Sequence, residues 1–329
     1  MTEQQIMLAD MAGGLFAGLS HATNVADGWA QIEAMGFGGL LLDEAEGGFG
    51  GTWADVAIVA RLAGYHALAL PMVEAVAAAW LAAQVGFDSD GIGSLAERAE
   101  GEIADGCFTG VLRGVAWGRD AAFAAAPAPG GGAMLVPLGA ARVEQRENIA
   151  GEPRDVLHLT GVPVRPVACD VFALGAALRT MQMAGALDAA LATAVGYVND
   201  RQQFGKPLGK LQAVQQALAV FACEAAATNC AANGVAQALD RGDAAFETAA
   251  AKARSNMAAN SGAAIAHQVH GAIGFTQDYG LHPLTRRLWS WRSEFGSEQH
   301  WNRVLGQAVC ASGADGYWAS MVARTDSAD

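Results

Sequence analysis

The sequence predicts a mainly α-helical chain with a small β domain set between two helical regions. Three observations carry that expectation. Alanine-rich stretches with helical periodicity run from the N-terminus to about Gly86 and again from Val171 to the end. Between about Gly101 and Asp170 the pattern changes to short β-like runs separated by Gly and Pro clusters. Finally, 329 residues of which 52% are hydrophobic and only 16% charged provide enough apolar surface for two or three domains with well-filled cores. The expected division is an N-terminal helical domain over 1–100, a β domain over 101–170 and a C-terminal four-helix bundle over 171–329.

In the first helical region, Trp29, Ile32 and Met35 recur every three residues, as one buried stripe requires. Glycines at Gly36-Phe-Gly-Gly39 and Gly47-Gly-Phe-Gly-Gly51 interrupt the helices. Thr52, with Asp55 three residues on, has the makings of a helix cap. Gly47-Gly48 is a turn and not a phosphate loop, since no Lys-Ser/Thr follows.

The expected strands include Val111-Leu-Arg-Gly-Val-Ala-Trp117, Ala133-Met-Leu-Val136 and Val156-Leu-His-Leu159. Pro127-Ala-Pro-Gly-Gly-Gly132 breaks the pattern between them. Beyond Val171, three stretches are each long enough for a full bundle helix: Val171 to Asn199, Leu211 to Asp240 and Ala244 to Val269. Gly242 supplies the turn before the third.

Charge and cysteine usage exclude several function classes. Lys+Arg 20 against Asp+Glu 33 gives a net charge of -13, the wrong sign for neutralising nucleic-acid phosphate. No apolar run is long enough for a membrane span, and the N-terminus lacks a basic stretch followed by an apolar one, so a cytoplasmic location is expected. The five cysteines have no metal spacing; Cys223 and Cys230, seven apart, are expected as small core residues. His267 and His270 lack a third ligand and are expected to line a turn, with no metal site.

Two stretches carry chemistry. Tyr197-Val-Asn-Asp-Arg-Gln-Gln-Phe-Gly-Lys-Pro-Leu-Gly-Lys-Leu-Gln212 packs a guanidinium, a ring and two glycines into the bend between two long helices. Arg201 can fork onto a phosphate and Phe204 offers a ring face, while Gly205, Pro207 and Gly209 fix the turn. A capped helical hairpin with a surface Arg would account for this stretch equally well. About sixty residues on, His267-Gln-Val-His-Gly-Ala-Ile-Gly-Phe275 places Gln268 ahead of small residues that let main chain approach a ligand.

In order and spacing, Arg-x-x-Phe-Gly followed by Gln-x-x-Gly-Ala-x-Gly resembles the C-terminal domain of the acyl-CoA dehydrogenase family. The resemblance implies an acyl-CoA dehydrogenase-like fold and an FAD cofactor contacted by Arg201, Phe204, Gln212, Gln268, Gly271 and Ala272, the last standing where Gly is more usual. It implies FAD-dependent α,β-dehydrogenation of an acyl-CoA thioester, with an electron-transfer flavoprotein as acceptor. The middle β domain departs from the family. It is short, and it lacks the Thr-Glu-Pro and Gly-Ser-Asp stretches that lie over the flavin ring. The resemblance is therefore to a shortened subunit that pairs with a longer homologous subunit in an α2β2 assembly, of the type that acts on steroid side-chain CoA esters; the alternative is a homodimer whose shortened β domain holds FAD differently.

The same resemblance nominates Glu294, followed by Phe295, Gly296, Ser297 and Glu298, as the catalytic base. Abstraction of a proton beside a thioester carbonyl requires a placed carboxylate. Burial beside Phe295 and Trp291 is expected to raise its pKa toward neutrality. The plain reading is that Glu294 starts the last helix with Ser293 as its cap. Two further alternatives are a non-catalytic subunit that supports a partner's FAD and a flavin oxidase on the same fold.

Overall fold

The computed structural model describes residues 1–19, 24–277 and 279–326. The N-terminal region is built from α1 (Glu3–Leu19), α2 (Val25–Ala34), α3 (Trp53–Tyr65) and α4 (Met72–Gln84). Trp29 and Ile32 are buried, whereas Met35 ends α2 half-buried. Thr52 and Asp55 form a reciprocal capping box: the Thr52 hydroxyl accepts from the Asp55 amide, and the Asp55 carboxylate accepts from the Thr52 amide at 2.9 Å.

Strands β1 (Gly93–Leu95), β2 (Arg98–Ala104), β3 (Cys107–Ala116), β4 (Phe123–Pro127), β5 (Ala133–Pro137), β6 (Arg142–Glu144), β7 (Arg154–Pro163) and β8 (Arg165–Val167) follow. They make two four-stranded sheets, ordered β1-β4-β5-β8 and β2-β3-β7-β6. Phe108, Leu112, Met134, Val136, Leu157 and Leu159 fill the space between them. The first strand begins at Gly93, ahead of the compositional change at 101. It runs parallel to β4, a long-range pairing that no local signal announces.

The bundle consists of α5 (Val171–Asp200), α6 (Gln212–Arg241), α7 (Ala245–His270), α8 (His282–Trp291) and α9 (Glu298–Asp326), the last interrupted at Gly313. Asp170 caps α5 by accepting from the Ala173 amide at 3.0 Å. Helices α3 and α5 pack backbone to backbone. A Cβ at Gly64 would overlap the Gln182 carbonyl, and one at Gly185 would overlap that of Arg61, so neither position tolerates a side chain. At the far end of α6, Asp240 accepts from the amides of Trp53 and Ala54 at 2.7 and 3.2 Å and so pins the start of α3 to the bundle.

Two local expectations are corrected. Cys223 and Cys230 are exposed, because the buried face of α6 is the one carrying Phe221, Ala225, Thr228, Ala232 and Val235. A seven-residue spacing puts two residues on one face without saying which face. The last helix starts at Glu298, not at Glu294: Phe295 and Gly296 take positive φ of 52° and 102°, and the Ser297 hydroxyl accepts from the His300 amide. No described helix is long and apolar enough to cross a membrane.

Candidate functional site

The bend after α5 is a two-residue hairpin. β9 (Gln202–Gln203) pairs with β10 (Lys206–Pro207) around Phe204 and Gly205, whose φ values of 53° and 74° are those of a type I′ turn. The Leu208 amide donates to the Arg201 carbonyl at 2.9 Å, closing the base of the hairpin. Phe204 stands at its tip, 83% exposed, a strained and unburied position for an aromatic ring.

Facing the base of this hairpin is the end of α7, where the chain turns through a 3-10 segment from Gly271 to Phe275. Gly271 takes φ 66° and ψ -144°, a conformation open essentially to glycine alone. Together these elements enclose a cleft of about 540 Å³ lined by Tyr197, Arg201, Gln203, Leu208 and residues 268–273. Four of the expected residues, Arg201, Gln268, Gly271 and Ala272, meet in it. Phe204 and Gln212 do not line it: both are exposed beside it, on the hairpin tip and the first turn of α6.

The electrostatics of this cleft are simple. In a chain of net charge -13, its lining holds one guanidinium, two primary amides and no carboxylate. The C-terminal end of α7 disfavours an anion, so Arg201 must supply the attraction. Within the lining, the His270 ring stacks on Tyr197 at 4.6 Å, and it meets Tyr279 edge-on at 5.0 Å.

Glu294 lies in a different place. A second cleft of about 310 Å³ is lined by Glu97, Glu147, Asn148, Arg154, Ser290, Ser293 and Glu294, among others. Glu294 is buried, and both its oxygens are engaged. Oε2 accepts from Arg179 Nε at 2.8 Å, and Oε1 accepts from Asn148 Nδ2 at 2.8 Å. Arg154 Nε lies 3.1 Å from Oε1, a charge contact whose angle is too poor for a hydrogen bond.

The network extends well beyond Glu294. Arg179 also donates to Glu74 at 2.6 Å and to Gln182 at 2.5 Å, while Glu152 accepts from Arg154, Arg287 and the Trp291 indole at 2.9–3.0 Å. Three carboxylates (Glu74, Glu152, Glu294) thus balance three guanidiniums (Arg154, Arg179, Arg287) in the interior. The Arg179 guanidinium also lies 5.8 Å from the Trp291 and Phe295 rings.

The expected upward pKa shift of Glu294 is overturned. Burial alone would raise it, but Arg154 and Arg179, with the Asn148 amide, outweigh burial and hold it at about 2. Burial likewise works against the charge on Arg179, and the carboxylates of Glu74, Glu294 and Glu152 push its pKa up instead. Lys252, one layer deeper, lacks a facing carboxylate partner. It donates to Asn256 and the Trp291 carbonyl at 2.7 and 2.8 Å, and burial lowers its pKa to about 7.

Sequence reasoning missed Glu74, Arg154, Arg179 and Glu152. One signal was available: Glu74 is the only charge in α4, and Arg179 the only one in the first half of α5, as expected of buried partners. His267 and His270 are both buried; Nε2 of His267 lies 3.0 Å from the Thr285 hydroxyl, and its ring stacks between Phe275 and Trp289. Among the described residues no three His, Cys, Asp or Glu side chains are arranged to hold a metal ion.

Residues 165–321, which hold the hairpin, the α7 turn and Glu294, match the acyl-CoA dehydrogenase C-terminal domain. The C-terminal part of the chain is thus similar to the C-terminal domain of acyl-CoA dehydrogenases. Over 158 residues, 47% of the chain, it is 32% identical to acyl-CoA dehydrogenase FadE34 of Mycobacterium tuberculosis, and the match spans 21% of that relative's length. The likeness of fold extends over nearly the whole chain. A chain of the ChsE4-ChsE5 complex from Mycobacterium tuberculosis superposes with a TM-score of 0.85 at 21% identity, covering 95% of this chain and 99% of that one. A chain of the Tcur3481-Tcur3483 steroid ACAD G363A variant gives 0.84 at 21% identity, covering 94% and 98%. This acyl-CoA dehydrogenase fold combines helices, a short β part and a bundle with family motifs at the α5–α6 bend and the end of α7.

Proposed function

We propose that this chain is one subunit of a heteromeric, FAD-dependent acyl-CoA dehydrogenase that introduces an α,β double bond into an acyl-CoA thioester. The carrying observation is the cleft in which Arg201, Gln268 and the Gly271–Ala272 turn converge without an acidic lining residue. That donor set fits the adenine and pyrophosphate part of FAD: Arg201 forks onto phosphate, Gln268 orients a polar edge, and Gly271 lets main chain come close. Bound FAD supplies the hydride acceptor. Phe204, on an exposed hairpin tip, and Gln212 beside it extend the contact outward, across a subunit boundary.

The second cleft supports the heteromeric reading. Its lining includes the carboxylates of Glu97, Glu147 and Glu294, which repel a pyrophosphate, and its one guanidinium, Arg154, is already tied to Glu152 at 2.9 Å. A carboxylate held at about 2 by two arginines is a weak acceptor for a carbon-bound proton, so the base comes from a longer homologous subunit. The ChsE4-ChsE5 complex and the steroid ACAD share this chain's fold, which favours an α2β2 partner of that kind and a steroid side-chain CoA ester as substrate. An electron-transfer flavoprotein is the acceptor, and the reaction is cytoplasmic. Within this reading, 1–100, 101–170 and 171–329 act as helical, β and bundle domains, with β1 carrying the β domain back to Gly93.

A second reading keeps Glu294 as the base, released from its arginines when substrate binds. Glu294→Gln in the assembled complex separates the two. Turnover within about twofold of wild type is the expected result, and a loss of about a hundredfold or more, the range of a general base, assigns Glu294 to the chemistry.

A further inference from the structure

The first motif ends α5 and the second ends α7, so Arg201 and Gln268 face one another only if the ends of those two helices are held in register. One contact does this. Tyr197 sits one turn before Arg201 and accepts from the Arg201 amide through its own carbonyl at 2.9 Å. Its ring stacks on His270, two residues after Gln268, at 4.6 Å and 23°. Tyr279, ahead of α8, closes the group, meeting His270 at 5.0 Å and Tyr197 at 5.8 Å, both edge-on.

The imidazole is bonded on one side only. Nδ1 lies 2.7 Å from the Ala266 carbonyl, an acceptor, so Nδ1 carries the proton and Nε2 is a bare lone pair. His270 is 4% exposed, and Nε2 has no hydrogen-bond partner among the described residues. A neutral ring suits this position. A second proton on Nε2 would have no acceptor and would bury a cation beside two rings.

We propose that His270 is a positioning residue: its ring joins the end of α5 to the end of α7, sets Arg201 against Gln268 and Gly271, and does so only while uncharged. The groups facing it are the Tyr197 and Tyr279 phenols and, one turn back on α7, His267. Arg201 lines the same cleft, and Asp200 acts on the Tyr279 phenol. Burial lowers the His270 pKa below 6.5, only partly opposed by the Ala266 carbonyl; His267 is lowered by burial and then by His270 itself. The joint is therefore intact above about pH 6.5, the free-imidazole value, and opens as pH falls below it. Acid then shifts the population toward a cleft whose two halves no longer face each other.

This inference rests on the cleft being the FAD site, and its test separates the two claims. FAD affinity of the assembled complex is measured by flavin fluorescence at pH 7.5 and 5.5, with melting temperatures recorded at both. Wild type is expected to bind about tenfold more weakly at pH 5.5, within the usual range of coupling between two sites. His270→Phe keeps an aromatic ring that cannot titrate, and its ratio between the two pH values is expected near one. His270→Ala removes the ring and is expected to weaken binding at both. The decisive quantity is the ratio for His270→Phe, which is independent of any uniform loss of stability. A His270→Phe variant as acid-sensitive as wild type overturns the proposal, as does unchanged affinity in His270→Ala. If Arg201→Ala in the same titration binds FAD as wild type does, the assignment of the cleft itself falls.

Discussion

The two clefts of this chain have similar residues available and use them in opposite ways. At the ends of α5 and α7, Arg201 and Gln268 are exposed and the lining holds no carboxylate. Beside α8, Glu294, Arg154 and Arg179 are all inside, and each charge is already answered by another. An exposed guanidinium keeps its bonding capacity for a ligand. A buried one has spent it on the fold. The difference teaches that one cleft is built to receive and the other to hold, although both draw residues from the stretch that resembles the family's C-terminal domain.

Breaking the holding cleft has the largest expected effect. Arg179→Met leaves Glu74 and Glu294 buried without their shared cation, and a loss of about 3–5 kcal/mol is expected on chemical denaturation of the complex. A loss under about 1 kcal/mol would mean that the network is solvated and the contrast overstated. Breaking the receiving cleft moves a different quantity. Arg201→Ala is expected to weaken FAD binding by about ten- to a hundredfold, the scale of one charge-assisted contact, with melting of the apo-complex unchanged. A fall in apo stability with unchanged affinity would exchange the roles of the two sites.

A smaller effect sharpens the contrast. The Glu294 pKa is depressed, so its stabilising contribution is present above its ordinary value of 4.5 and is lost as pH falls through about 2. Glu294→Gln is expected to cost about 1–3 kcal/mol at pH 7 and to flatten the acid limb of the stability curve. An unaltered acid limb in that variant would assign the acid sensitivity to other groups.

What could be read in advance follows from how local each feature is. Helix α5 was expected over Val171 to Asn199 and runs to Asp200, because its alanines, its apolar face and its Asp170 cap are contained in one stretch. The hairpin at Phe204-Gly205 was legible as a sharp bend, since Gly and Pro set backbone angles wherever they stand. The convergence of Arg201 and Gln268 followed from two motifs taken together. The ion network was not legible: Arg179 meets Glu74 105 residues away and Glu294 115 residues away, and Asn148 meets Glu294 across 146. The direction of the Glu294 shift failed for the same reason, since its flanking Trp291 and Phe295 promised desolvation while the deciding cations came from α5 and β7. The exposure of Cys223 and Cys230 failed because helical spacing assigns a face only when a partner is known.

The central claim is that this subunit owns part of a flavin site and needs a longer homologue to complete it. The direct measurement is flavin absorbance and mass of the purified chain, alone and co-expressed with its candidate partner. The account predicts a colourless, inactive chain alone and a yellow, active heteromer; a yellow chain that is fully active without any partner would contradict it.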